Sequence, residues 1–230
     1  MLEIKLFLFK FKNIIIITKS KILKKKIKAK YQIIKRRFEK FIESKFFSQK
    51  WFLNNFELFH YYLPKDYDKN FSYLEIGSYE GLSALNILYN YKNSKVTTID
   101  LWDEGNINSE SLNVNFNEIE DRFNKNLNGY KYTKIKNDSV IALRELLKKK
   151  LFFDIIYIDG SHNGEDILSD AIESYKILNE EGILIFDDVV NANKNITIQS
   201  YVGFEKFCKI YKKKIKVLYL KNIAIIRKIK

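Results

Sequence analysis

Short apolar runs alternate along this chain with longer stretches of helical spacing. YLEIG (73–77), KVTTIDLW (95–102), YTKIKND (132–138), FDIIYIDG (153–160) and GILIFDDV (182–189) have strand length, and each carries a glycine or an acid at its end. Unbroken apolar runs such as Ile183 to Phe186 belong to strands buried on both faces of a parallel sheet. Between them, GLSALNILYNY (81–91) and segments ending near Leu127, Lys150 and Leu178 repeat apolar residues at helical intervals, and a last helix is expected over about 201–212. Five strand–helix units in alternation predict a parallel sheet wrapped by helices, with right-handed crossovers. VLYL (217–220) and IAIIRKI (223–229) are separated only by Lys221 and Asn222. That gap is too short for a crossover, so the two pair as a hairpin and one runs antiparallel to the sheet. Upstream, Phe41, Ile42, Phe46, Phe47, Phe52, Phe56 and Phe59 predict helix from Phe38 to Leu63, ended by Pro64.

Composition changes this picture mainly at the N-terminus. The net charge is +13, but residues 1–70 hold 18 Lys/Arg against 6 Asp/Glu, whereas residues 71–230 hold 23 against 22. The division expected is a basic N-terminal extension, 1–50, and an α/β domain, 51–230. No apolar run reaches the roughly 18 residues of a membrane span, and lysines interrupt the one stretch resembling a signal-peptide core. Three roles stay open for the extension: accessory helices with a solvated lysine face, contact with an anionic membrane surface, or contact with nucleic acid. The single cysteine, Cys208, excludes an intramolecular disulfide and paired-cysteine zinc sites. It fits a reducing, cytoplasmic setting, with peripheral membrane attachment as a variant.

Almost every strand ends in an acid: Glu75, Asp100, Asp138, Asp159, and the pair Asp187 and Asp188. Ligands of a doubly wound sheet lie at these carboxyl ends, near the switch in strand order. Acids there accept hydrogen bonds from hydroxyls and amines and are poor partners for phosphate. Gly77 and Gly81 frame a turn, G-S-Y-E-G, and Asp100 lies 23 residues after Gly77, where a carboxylate grips ribose hydroxyls. The turn lacks the middle glycine of G-x-G-x-x-G that lets backbone approach a pyrophosphate. A ligand with a ribose and no pyrophosphate fits better. An NAD-dependent oxidoreductase on a related Rossmann fold is the alternative. Turn glycines and helix-capping acids with no ligand are the bland one.

The segments YLEIGSYEGLSAL, VTTIDLW, FDIIYIDGSHNGEDILSDAIESYKIL and EGILIFDDV, with the terminal strand pair, resemble class I S-adenosylmethionine-dependent methyltransferases, above all family-24 methyltransferase domains and metal-dependent O-methyltransferases. WFLNNFELF (51–59) is similar to the helix preceding such domains. The resemblance implies a Rossmann-like, mostly parallel sheet with an antiparallel last strand. It implies that Glu75, Gly77 and Ser78 face the methionine end of the cofactor, that Gly81 belongs to the same cofactor-binding turn, and that Asp100 holds the ribose. Leu101 or Trp102 would lie against the adenine, the other role for Trp102 being core packing. Asp138 would accept from the adenine amino group with Ser139 beside it, the other role for Asp138 being an N-cap.

If the fourth and fifth strands are neighbours, Asp159, Asp187 and Asp188 converge, and three carboxylates suit a hard cation such as Mg²⁺. In the metal-dependent relatives a metal at this place holds the acceptor oxygens. A base or a holder of the methionine end is the other role for these acids. His162, in D-G-S-H, stands where some relatives carry a general base; capping the next helix is its alternative. Asp159 and His162 are the catalytic candidates. His60, amid aromatics, reads as structural. The function expected is O-methylation of a small molecule or a sugar hydroxyl, in free form or within a glycan. RNA methylation through the basic N-terminus is the competitor. The loop 103–110 and the segment 190–200 are expected to border the acceptor pocket.

Overall fold

The computed structural model describes residues 27–28, 30–102, 116–189 and 198–230. Seven strands form one sheet: β1 (Ser72–Ile76), β2 (Lys95–Asp100), β3 (Thr133–Lys136), β4 (Phe153–Ile158), β5 (Leu178–Phe186), β6 (Ile215–Leu220) and β7 (Ala224–Lys228). Their order is β3-β2-β1-β4-β5-β7-β6. The first five are mutually parallel, and β7 pairs antiparallel with both β5 and β6. The Rossmann-like architecture expected of the sequence, with its antiparallel hairpin, is therefore the one observed. Strand order reverses between β1 and β4, which opens a crevice at their carboxyl ends.

Helix α1 covers residues 30–41. It is followed by α2 (Phe56–Tyr62), α3 (Leu82–Asn90), α4 (Phe116–Asn126), α5 (Ser139–Lys148), α6 (Gly164–Ile177) and α7 (Ile198–Ile210). Alternate strand residues go to opposite faces. Tyr73, Val96, Ile155, Tyr157, Ile183, Ile185 and Ile225 enter one core, packed by Phe38, Phe56, Phe59, Leu85 and Phe123. Leu74, Ile76, Ile99, Ile156, Ile158, Leu184 and Ile226 enter the other, packed by Leu143, Ile167, Ala171 and Phe207. Two full faces explain why the strands read as unbroken apolar runs.

Several boundaries differ from the periodicity. The helix expected over 38–63 is interrupted by two 3-10 turns, Ile42–Ser44 and Trp51–Asn54, before α2 begins. The break has a local cause. Asn126, fully buried, accepts from the Phe46 amide at 2.7 Å and donates to its carbonyl at 3.0 Å. These bonds take the backbone groups that an α-helix would have paired internally. β5 starts at Leu178, directly after α6, where Leu178 pairs with Phe153 ahead of a register shift. The last helix starts at Ile198, and β3 spans only Thr133–Lys136. Ile27, Tyr31, Phe38 and Ile42 lie in the same core as the first sheet face, so packing runs across residue 50 without a seam.

Candidate active site

Glu75 is the last but one residue of β1, in register with Thr98 of β2 and Tyr157 of β4. It is fully buried. Tyr73, two residues earlier on the same face, donates its hydroxyl to Glu75 Oε2 at 2.6 Å. The other oxygen, Oε1, and the buried Ser78 hydroxyl find no partner among the described residues. Burial pushes the Glu75 carboxyl up to about 7, against the pull of the Tyr73, Ser83 and Ser78 hydroxyls. An unpartnered buried carboxylate oxygen costs free energy unless a donor or cation reaches it. The methionine end of S-adenosylmethionine carries such a cation, so the residues present fit this group.

The turn after β1 is held by packing as well as by any ligand. Gly77 has φ 81°, and a Cβ there would collide with the carbonyl of Asp159 at the end of β4. Tyr79, with φ 49°, donates its amide to Asp100 Oδ2 at 2.8 Å, and its carbonyl accepts from Trp102 Nε1 at 2.9 Å. Gly81, with φ 80°, opens α3 beneath Leu127 and Phe123. Asp100 Oδ1 accepts from the Trp102 amide at 2.9 Å. Burial raises the Asp100 carboxyl, while the Trp102 and Tyr79 amides pull it back. Backbone amides therefore fix the carboxylate plane. Leu101 is half-buried beside it.

The alternatives weighed for the adenine residues are both realised. Trp102 packs into the core with its ring centroid 4.7 Å from Phe123 and Lys134 Nζ 4.3 Å above it. Asp138 caps α5, accepting from the Ile141 amide at 3.0 Å. Ser139 donates to Asp170 Oδ1 at 2.5 Å. Asp170, on α6, is an acid that sequence pattern did not single out. Burial pushes it up to about 7.

The acids of β4 and β5 do converge, though not as an open trio. Asp187 takes the Asn55 side-chain amide on both oxygens, at 3.1 and 3.4 Å, the Tyr157 hydroxyl on Oδ2, and the Asp188 amide on Oδ1 at 2.9 Å. Asn222, from the turn between β6 and β7, donates to Asn55 Oδ1 at 3.3 Å and so orients that amide. Hydrogen bonds from Asn55 and Tyr157 thus compensate a carboxylate for which a cation was expected. Among the described residues no group of three His, Cys, Asp or Glu side chains is arranged to hold a metal ion. Burial and the neighbouring Asp187 and Asp188 carboxylates hold Asp159 well above the usual carboxylate range. Asp188 is exposed, with φ 45°.

His162 is exposed between β4 and α6, and its backbone carbonyl accepts from the Ser200 hydroxyl at 3.0 Å. The helix cap considered for it belongs instead to Asn163, whose side chain accepts from the Glu165 amide. His60 is buried against Phe56 and Tyr91 and paired to Asn86 at 3.0 Å, as its aromatic surroundings suggested. The loop 103–110 and residues 190–197 lie outside the described residues.

Comparison with known proteins decides the family. Residues 74–189, just over half the chain, match the family-24 model described as a methyltransferase domain. The chain belongs to this family. A protein of Acanthamoeba polyphaga mimivirus, R132, described as uncharacterized, is 24% identical over 157 residues. That match takes in 64% of this chain and 66% of the viral protein, so the chain spans just under two thirds of that relative. Among solved structures, an O-methyltransferase from Bacillus cereus in complex with SAH is similar at TM-score 0.52 and 16% identity, over 69% of this chain and 74% of that one. MycE methyltransferase from the mycinamycin biosynthetic pathway, in complex with Mg, SAH and mycinamycin VI, is similar at TM-score 0.54 and 16% identity, over 89% and 54%. Likeness at this identity establishes the shared fold. The family makes residues 74–189 a methyltransferase domain, which speaks against the oxidoreductase alternative.

Proposed function

We propose that this methyltransferase transfers the methyl group of S-adenosylmethionine to a hydroxyl oxygen of a small molecule or sugar. The observation carrying the proposal is the meeting of Asp159 and Asp187 beside the end of β1, where the methionine end fits Glu75 and Ser78. The cofactor supplies an electrophilic methyl on a sulfonium. Glu75 would face its ammonium, Asp100 would take the ribose hydroxyls, and the turn from Gly77 to Gly81 would lie along it. Asp159 or His162 would remove the acceptor proton as the new C–O bond forms and the C–S bond breaks. Asp187, held by Asn55 and Tyr157, would orient the acceptor or Asp159. Two structural neighbours support the chemistry by name: one is an O-methyltransferase, and the other holds a small-molecule ligand.

Magnesium assistance is the finer variant, since the MycE structure contains Mg. In this chain the Asp187 oxygens already accept from the Asn55 amide, the Asp188 backbone amide and the Tyr157 hydroxyl. The trio as arranged does not fit a cation, and no step is routed through one.

Calorimetry with S-adenosylhomocysteine tests the cofactor half: binding is expected in the wild type and lost in Asp100→Ala. Labelled methyl transfer, offered sugar nucleotides, glycans and bulk RNA with and without chelator, tests the acceptor. The expected product is an alkali-stable methyl ether in the sugar or small-molecule fraction, formed equally in chelator. Label confined to RNA would overturn the acceptor reading, and activity abolished by chelator would restore the metal.

A further inference from the structure

Helix α1 is two-sided. Tyr31, Ile34, Phe38 and Phe41 pack onto the domain. Lys30, Ile33, Arg36, Arg37 and Lys40 point to solvent, and positions 30, 33, 37 and 40 form one stripe at helical spacing. Several cations elsewhere on the domain are paired. Glu120 holds Lys134 and Lys136, Glu173 holds Arg144 and Lys176, and Glu205 holds Lys209. The four outward cations of α1 make no ion pair among the described residues. Residues 27–50 hold eight Lys/Arg against two Glu, so this is an uncompensated positive surface.

An apolar side chain is exposed within this charged stripe, and two more are exposed in the segment that follows it. Ile33 is 65% exposed within the cationic stripe, and Phe46 and Trp51, in the segment that follows, are 60% and 52% exposed. The chain leading into α1 continues the combination. Residues 1–26 contain eight lysines, one glutamate and fourteen apolar side chains. A nucleic-acid backbone is drawn to charge alone. A bilayer with anionic headgroups takes both parts, cations at the headgroups and apolar or aromatic side chains at the acyl boundary. Among the described residues no helix is long and apolar enough to cross a membrane, so contact here is with its surface.

We propose that the outward face of α1 docks on an anionic lipid bilayer. Each cation near such a surface strengthens binding about fivefold, so four of them dominate the partition. The test uses the full chain and vesicles of phosphatidylcholine, alone or with about one third phosphatidylglycerol. Co-sedimentation is expected to be at least about tenfold stronger on the anionic vesicles and to weaken as salt rises. The variant Lys30→Ser, Arg36→Ser, Arg37→Ser, Lys40→Ser, checked for an unchanged circular-dichroism melt, should lose at least about tenfold of that partition. If it fails to fold, the double variant R36Q/R37Q should lose about tenfold or more. Equal binding to neutral and anionic vesicles, or full partition by these variants, overturns the proposal. So does wild-type binding to a short RNA that is tighter than to anionic vesicles.

Discussion

Glu75 offers the sharpest test of how this methyltransferase holds its cofactor. Its buried carboxyl is pushed up to about 7 in the free protein, against an ordinary value of 4.5. Below pH 7 the free site therefore keeps the proton. A cationic ligand against Oε1 favours the carboxylate, so binding expels that proton and acidification opposes binding. If the bound carboxyl returns to its ordinary value, affinity falls about fivefold from pH 7 to pH 6 and about fifteenfold by pH 5.5. The cofactor's own ammonium stays charged throughout this window, which keeps the slope attributable to the protein. Calorimetry of S-adenosylhomocysteine in buffers of different ionisation enthalpy should register close to one proton released at pH 6. Glu75→Gln should bind more weakly at pH 7 and flatten the profile, which separates Glu75 from Asp170 and Asp159, acids that are also raised. The same shift carries a stability consequence with a definite sign. A raised acid binds more protons folded than unfolded, so the free protein loses stability as pH climbs from 4.5 through 7, by up to about 3 kcal/mol. Glu75→Gln should then melt higher than the wild type at pH 8 without ligand. A wild-type affinity flat between pH 5.5 and 7, or a variant with the full slope, would refute the assignment of Glu75 to the cationic end.

Two further substitutions probe the frame. Phe38→Ala removes a fully buried ring stacked 5.7 Å from Phe56 and should cost about 3–5 kcal/mol in urea unfolding; a cost below 1 kcal/mol would mean that α1 is not part of the domain core. Asn55→Ala withdraws the amide from Asp187 and should cost about 1–3 kcal/mol, read from thermal melts at pH 7.5. The loss should shrink at low pH, where protonated Asp187 no longer needs a charge-compensating donor.

What the sequence made legible is what depends on local periodicity. Parallel strands buried on both faces, the two-residue gap at Lys221 and Asn222, and the acids at strand ends are all written in short windows. The switch point followed from them, since strand ends must line one rim once the sheet is parallel. A further local signal went unused: Tyr73-x-Glu75 and Tyr157-x-Asp159 repeat an aromatic hydroxyl two residues before an acid, on one face of adjacent strands. The helix over 38–63 was misjudged because its interruption is imposed from Asn126, eighty residues away. Trp102 and Asp138 each had two roles compatible with their windows, and only packing shows the ring against Phe123 and the carboxylate on Ile141.

The acids themselves show where the limit lies. A carboxylate at the end of a buried strand announces an electrostatic debt, and the sequence near it does not name the creditor. For Asp187 the compensating donor is Asn55, 132 residues upstream, fixed in turn by Asn222 from the far hairpin. No spacing rule connects these positions, and a cation was the natural inference from the aspartates alone. For Glu75 the fold bonds one hydroxyl to Oε2 and, with the Ser78 and Ser83 hydroxyls nearby, completes no hydrogen bond to Oε1 among the described residues. Two buried acids with the same local signature thus have opposite solutions: Asp187 is satisfied within the protein, whereas Glu75 has an oxygen left for something that arrives from outside. That asymmetry is the physical ground for proposing that the cationic cofactor meets β1 rather than β5.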